Sequence, residues 1–159
     1  EWAPQDKVVK WDDPENEICI SSGPLGGNIF YPGSGKSIVT TISPLTDIVV
    51  DSNVGGYFGP YLKFSGFDAL EIQGKTQKDV VVYIDGVEGI VQIKEVEDSE
   101  GLSKYSHELT QQLTDAYAQD DREKQRISVV STGPAAKNTN WGLLTDHHIF
   151  QRDFRIREE

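Results

Sequence analysis

The chain has 159 residues, 36% of them hydrophobic, and a formal net charge of −11. That length supports one domain with a core of its own. The acidic balance argues against nucleic acid, which needs clustered Lys and Arg, and against an anionic membrane surface. No apolar run approaches the roughly 20 residues of a membrane-spanning helix, and no leader pattern opens the chain.

Residues 1–16 form a polar, irregular lead-in with two Trp and two Pro. Residues 17–22 read as a short strand ended by Gly23-Pro24. It contains the only cysteine, Cys19, expected to be packed in the interior. One cysteine allows no internal disulfide, which suits a reducing, cytoplasmic setting. A glycine-rich loop fills 23–36, and its end, Gly33-Ser34-Gly35-Lys36-Ser37, looks like the tail of a phosphate-binding loop. That motif needs its first glycine at position 30, which is Phe30, and a helix beginning near the lysine. Ser37-Ile38-Val39-Thr40-Thr41-Ile42 is instead a β-branched run that stops at Pro44. Such side chains favour strands, so the stretch is a turn feeding a strand rather than a nucleoside-triphosphate site.

A further strand is expected at 47–51, then a turn at 52–60 and a short helical or irregular link at 61–68. Strands follow at 69–74, 79–84 and 89–96, with Asp85-Gly86 resembling a hairpin turn. Leu102, Tyr105, Leu109, Leu113, Ala116 and Tyr117 recur at helical spacing and predict the main helix, with Asp98 or Ser99 as its cap. The run Asp120–Lys124 is expected as a solvated loop and Ile127–Thr132 as a last strand. The pattern is α+β: β-rich, with mixed or antiparallel sheets and one main helix.

Three glycine-rich turns, Gly23–Gly27, Gly33–Gly35 and Gly55–Gly59, allow close backbone approach to a ligand. Ser34, Lys36, Ser52 and Asn53 beside them suit a flat, anionic, hydrogen-bonding ligand. Acid–base machinery is thin. His107 falls on the polar side of the helix, and the adjacent His147-His148 beside Asp146 cannot share one face. No Cys/His cluster has zinc or iron–sulfur spacing.

Several stretches, in order, resemble the N-terminal domain of the aldehyde:ferredoxin oxidoreductases. They are Gly23-Pro24-Leu25, Gly33-Ser34-Gly35-Lys36, Thr41-Ile42-Ser43-Pro44-Leu45-Thr46, Asp51-Ser52-Asn53-Val54-Gly55-Gly56-Tyr57-Phe58-Gly59-Pro60, Leu62–Leu70 and Gly74-Lys75. The similarity is dense over 14–96 and returns at Val129–Asn138, where Gly133-Pro134-Ala135 is similar to a family motif. The resemblance implies a tungsten (or molybdenum) bis-pyranopterin oxidoreductase that oxidises a small aldehyde to the acid with ferredoxin, or a similar carrier, as acceptor. It implies cofactor contacts at Gly35, Lys36, Ser52, Asn53, Val54, Gly55 and Gly56, with the Asn53 main-chain carbonyl on a magnesium ion. Lys36 stands where the family usually carries Arg. No catalytic residue is implied within these residues. The 4Fe–4S cluster would come from segments outside them, and the family's Arg-Ala-Ala-Gly-Arg-Gly-Gly turn does not follow.

With no Met and a start at Glu1, the chain reads as one incomplete cofactor-binding domain, best matched over 14–138. It would be an excerpt of a longer enzyme or one chain of a split one, unable to catalyse alone. The remainder of the enzyme, or a partner subunit, is therefore an expected partner, and a homo-oligomer is possible. Two alternatives stand: a benzoyl-CoA reductase-type catalytic subunit of the same family, and a non-catalytic cofactor-binding or scaffold subunit.

Overall fold

The computed structural model describes residues 9–96, 102–103, 105–140 and 145–146. The order is β1 (Glu17–Ser22), β2 (Ser37–Ile42), β3 (Val49–Val54), α1 (Phe58–Phe64), β4 (Ala69–Gln73), β5 (Val80–Asp85), β6 (Ile90–Glu95), α2 (Ser106–Tyr117), α3 (Asp121–Lys124), β7 (Val130–Ser131), α4 (Ala135–Asn138) and β8 (Thr145–Asp146). The main sheet runs β3-β2-β1-β4, and β5-β6 and β7-β8 form two-stranded sheets. Every described pairing is antiparallel, so the expected β-rich α+β class holds and its mixed variant is not needed.

The register divides the main sheet into two faces. Ile20 lies opposite Val39 and Leu70, and these share a face that α1 covers. Ile20, Val39 and Leu62 of α1 are the buried hydrophobic residues there. Burying such a side chain contributes about 1.5–3 kcal/mol. The other face carries Cys19, Ile38, Val49 and Asn53 and stays largely open among the described residues. Cys19 is accordingly half-buried rather than interior. Glu17 and Glu71 lie diagonally on this face, since Glu17 pairs with Gln73 and Cys19 with Glu71. Glu17 Oε2 is buried with no donor facing it. The Glu71 carboxyl beside it, aided by burial, raises Glu17 above the usual carboxylate range.

Several elements depart from the sequence expectation. The third strand begins at Val49, not 47, because Asp47 adopts a left-handed φ of 54°, which a strand does not accommodate. It then runs on through Ser52-Asn53-Val54, expected in the turn, because pairing with Ser37–Val39 satisfies that backbone. Helix α1 begins earlier than the expected link and includes Gly59-Pro60. Proline is tolerated in a first turn, where its missing N–H has no intrahelical partner. Gly66, at φ 90°, ends α1: its N–H donates to Lys63 O and the Phe67 N–H to Leu62 O, a Schellman arrangement.

The main helix starts at Ser106, later than its apolar spacing suggests. Asp98 and Ser99 lie outside the described residues. Its buried residues are Thr110 and Thr114, whose hydroxyls donate to the His107 and Thr110 carbonyls, while Tyr105 and Ala116 are exposed. Residues 121–124 form a helical turn rather than a loop, because the Asp120 carboxylate accepts from Arg122 N and Glu123 N. Only Val130–Ser131 of the run at 127–132 pairs as strand. Asp85-Gly86 does open a hairpin turn, where the Asp85 carboxylate accepts from the Val87 and Glu88 N–H groups. Tyr117 of α2 stacks on Tyr83 of β5 at 5.1 Å between ring centroids, and Lys94 Nζ sits 3.6 Å over the Tyr83 ring.

Candidate functional site

The residues singled out from sequence meet at one end of the main sheet, where β2 begins and β3 ends. Ser37 pairs with Val54, Ile38 with Asn53 and Val39 with Ser52. Lys36 and Gly55 are the next residues outward on each strand. A Cβ on Gly55 would lie 3.8 Å from Lys36 Nζ, and one on Gly35 would lie 3.5 Å from the Gly56 carbonyl oxygen. Two backbones thus run side by side with no side chain between them, and one ammonium lies at their edge. Lys36 is exposed and takes no part in the ion pairs found among the described residues. Gly56 sits at φ 100°, which lets the chain turn from β3 into α1.

Three close contacts hold this end together. Ser37 is 2% exposed, and a Cβ on Gly59 would fall 2.3 Å from its Oγ, so only glycine lets α1 sit on the start of β2. The Gly27 N–H donates to Ser34 O at 2.9 Å, joining the first glycine turn to the second. Gly27 also lies against Phe64 of α1, where a Cβ would come 2.8 Å from the ring. Ser37 and Phe64 were not singled out from sequence as site residues, whereas Gly59 was, as the end of the third glycine-rich turn, with close approach expected to a ligand rather than to Ser37.

Other sequence candidates do not join the site. His107 is exposed on α2. His147 and His148 lie outside the described residues. Among the described residues no group of three or more His, Cys, Asp or Glu could hold a metal ion. Asn53 projects its side chain from the open face of a strand at the edge of the sheet, where backbone groups on the outer side of β3 have no strand partner among the described residues. An ammonium beside close-running backbone is the chemistry this end of the sheet offers among the described residues.

Comparison with known proteins accounts for this architecture. The family described as aldehyde ferredoxin oxidoreductase, N-terminal domain, matches residues 2–152. The chain belongs to this family. It is 36% identical over 133 residues to the tungsten-containing aldehyde ferredoxin oxidoreductase of Pyrococcus furiosus, covering 84% of this chain and 20% of that one. The WOR-like subunit of an aliphatic sulfonate oxidoreductase from the same organism is 33% identical over 131 residues, covering 79% of this chain and 20% of the relative. Among solved structures, the active-site complex BamBC of benzoyl-coenzyme A reductase, in complex with 1,5-dienoyl-CoA, superposes with a TM-score of 0.74 at 27% identity. That match covers 87% of this chain and 20% of the other. The chain thus spans about a fifth of the length of the curated relatives it matches. The family expected from the sequence motifs is the family found.

Proposed function

We propose that this domain walls one side of a tungsten (or molybdenum) bis-pyranopterin cofactor in an oxidoreductase that converts aldehydes to carboxylic acids and passes electrons to ferredoxin or a similar carrier. The observation that carries the reading is the close approach of Gly35 to the Gly56 carbonyl and of Gly55 to Lys36 Nζ, an ammonium without a carboxylate partner among the described residues. A side chain at Gly35 or Gly55 would occupy the space that an anionic ligand needs, so the residues present fit the group. When bound, such a cofactor supplies a redox centre that this chain's own side chains cannot provide. Lys36 would neutralise an anionic edge, and Gly35, Gly55 and Gly56 would offer backbone at close range. Ser52, Asn53 and Val54 would complete the wall, with the Asn53 carbonyl on a magnesium ion. The 4Fe–4S cluster would belong to polypeptide outside these residues.

A second reading is a benzoyl-coenzyme A reductase-type catalytic subunit, favoured by the backbone similarity to BamBC at a TM-score of 0.74. The higher identity to the tungsten-containing aldehyde enzyme, 36% against 27%, favours the first. Turnover of an aldehyde against turnover of the aromatic thioester separates the two.

The test is elemental analysis of the enzyme purified without oxygen, with every co-purifying chain retained. Near-stoichiometric tungsten or molybdenum, with phosphorus, is the expected result; a preparation free of both metals overturns the reading. Lys36→Ala should lower metal content while leaving stability within about 0.5 kcal/mol of wild type, because the side chain is exposed. Lys36→Arg should retain the cofactor at least as well, since a guanidinium can bind an anion through two bonds.

A further inference from the structure

The loop between β1 and β2 is closed by its own hydrogen bonds. Besides the bond from Gly27 N to Ser34 O, Ser34 Oγ donates to Asn28 O at 2.9 Å. The Phe30 N–H donates to Asn28 Oδ1 at 2.9 Å, and the Tyr31 N–H to Asn28 O at 3.2 Å. This frame fixes the tip, and the tip is apolar: Ile29, Phe30 and Tyr31 are 86%, 89% and 55% exposed. At the loop's base Gly27 rests on Phe64, itself 63% exposed. Residues 25–35 contain no charged side chain, although 26% of the whole chain is charged. Consecutive large apolar side chains held outward by a bonded frame are the features of an interface anchor. Aromatic residues dominate such contacts, charge is depleted at their centres, and a preformed loop loses little entropy on docking.

We propose that the Ile29-Phe30-Tyr31 tip inserts into an apolar pocket of the polypeptide that closes over the Lys36–Gly55 cradle, the part of the enzyme that relatives carry beyond the fifth matched here. The choice of occupant rests on the cradle reading above: the loop leads directly through Ser34-Gly35 into Lys36, so whatever covers the cradle meets the loop. One groove of this domain, about 390 Å³ and lined by Thr76, Gln77, Lys78, Val80, Ile93 and Glu95, carries the Lys78–Glu95 ion pair at 2.8 Å and suits polar groups rather than a phenyl ring, so a second copy of the domain offers the tip no apolar pocket there.

The test uses the whole enzyme with p-benzoylphenylalanine in place of Phe30, irradiated and mapped by mass spectrometry. The expected product links position 30 to polypeptide outside residues 1–159, in the same chain or a co-purifying one. A link into residues 1–159 of a second copy overturns the proposal. A sample that gives no link is decided by hydroxyl-radical oxidation of Tyr31. Labelling as fast as in the unfolded protein overturns the proposal, and loss of labelling in the intact enzyme upholds it. Tungsten measured in the same sample reports on the cradle separately: metal-free enzyme that still gives the expected link keeps the anchor and loses the cofactor.

Discussion

Gly55 and Gly56 are adjacent and do different work. A methyl group on Gly55 meets only Lys36 Nζ, at an ordinary contact distance of 3.8 Å. Gly56 needs its φ of 100°, which a side chain opposes. Gly56→Ala should therefore lower stability by about 1–2 kcal/mol in a denaturant titration. Gly55→Ala should leave the midpoint unchanged, and Gly55→Val should lower metal content by projecting methyl groups into the cradle. Equal effects at the two positions would show that backbone conformation does not separate them. On the open face of the sheet, the neighbouring Glu71 carboxyl, aided by burial, raises Glu17. An acid with a raised folded-state pKa adds stability that is complete below its unfolded value, about 4.3, and is lost as pH rises through the folded one. Glu71→Gln should thus raise the urea midpoint near neutral pH and reduce the difference between acid and neutral midpoints. An unchanged pH profile would mean the pair shares no proton.

The β5–β6 hairpin owes its turn to Asp85. Hydrogen bonds from the Glu88 and Val87 N–H groups hold this carboxyl below its usual range. The sign is opposite to that of Glu17: the contribution is present above the unfolded value and disappears as pH falls through the lowered folded one. Asp85→Asn should be less stable than wild type near neutral pH, with the two converging in acid. The turn also touches α1, since a Cβ on Gly86 would fall 2.5 Å from Ser65 Oγ. Hydrogen exchange in the turn and at the end of α1 should therefore rise together in this variant. The apolar spacing at 102–117 located α2 but not its packing. Thr110 and Thr114 are the deeply buried positions, a choice made by the neighbours the helix meets rather than by periodicity.

At the scale of the molecule, a small core joins the main sheet to α1 through Ile20, Val39 and Leu62, the buried hydrophobic residues among those described. That core sets the position of the cradle, because α1 begins directly after Gly55-Gly56 and presses Gly59 onto Ser37. Leu62→Ala should cost about 2–5 kcal/mol, as truncations of buried leucines do. It should also lower cofactor retention in the folded fraction, although Leu62 is not in the cradle. Full metal content at reduced stability would uncouple the core from the site.

The sequence by itself determined the β-rich class, the strands at 17–22 and 37–42 and the family, and it named Gly35, Lys36, Gly55 and Gly56 as candidates. Those are local signals: β-branched runs, turn residues and motif order do not depend on what packs against them. Tertiary structure alone decided that Ser52–Val54 lie in a strand, because a ladder partner at Ser37–Val39 satisfies their backbone where local preference favours a turn. It alone brought Lys36 to Gly55, across the whole length of β2 and β3, and fixed glycine at position 59 by the approach of a helix to a buried serine. It also left Ile29, Phe30 and Tyr31 uncovered by the described residues of this domain, an outcome that depends on which surfaces are near and not on the residues themselves.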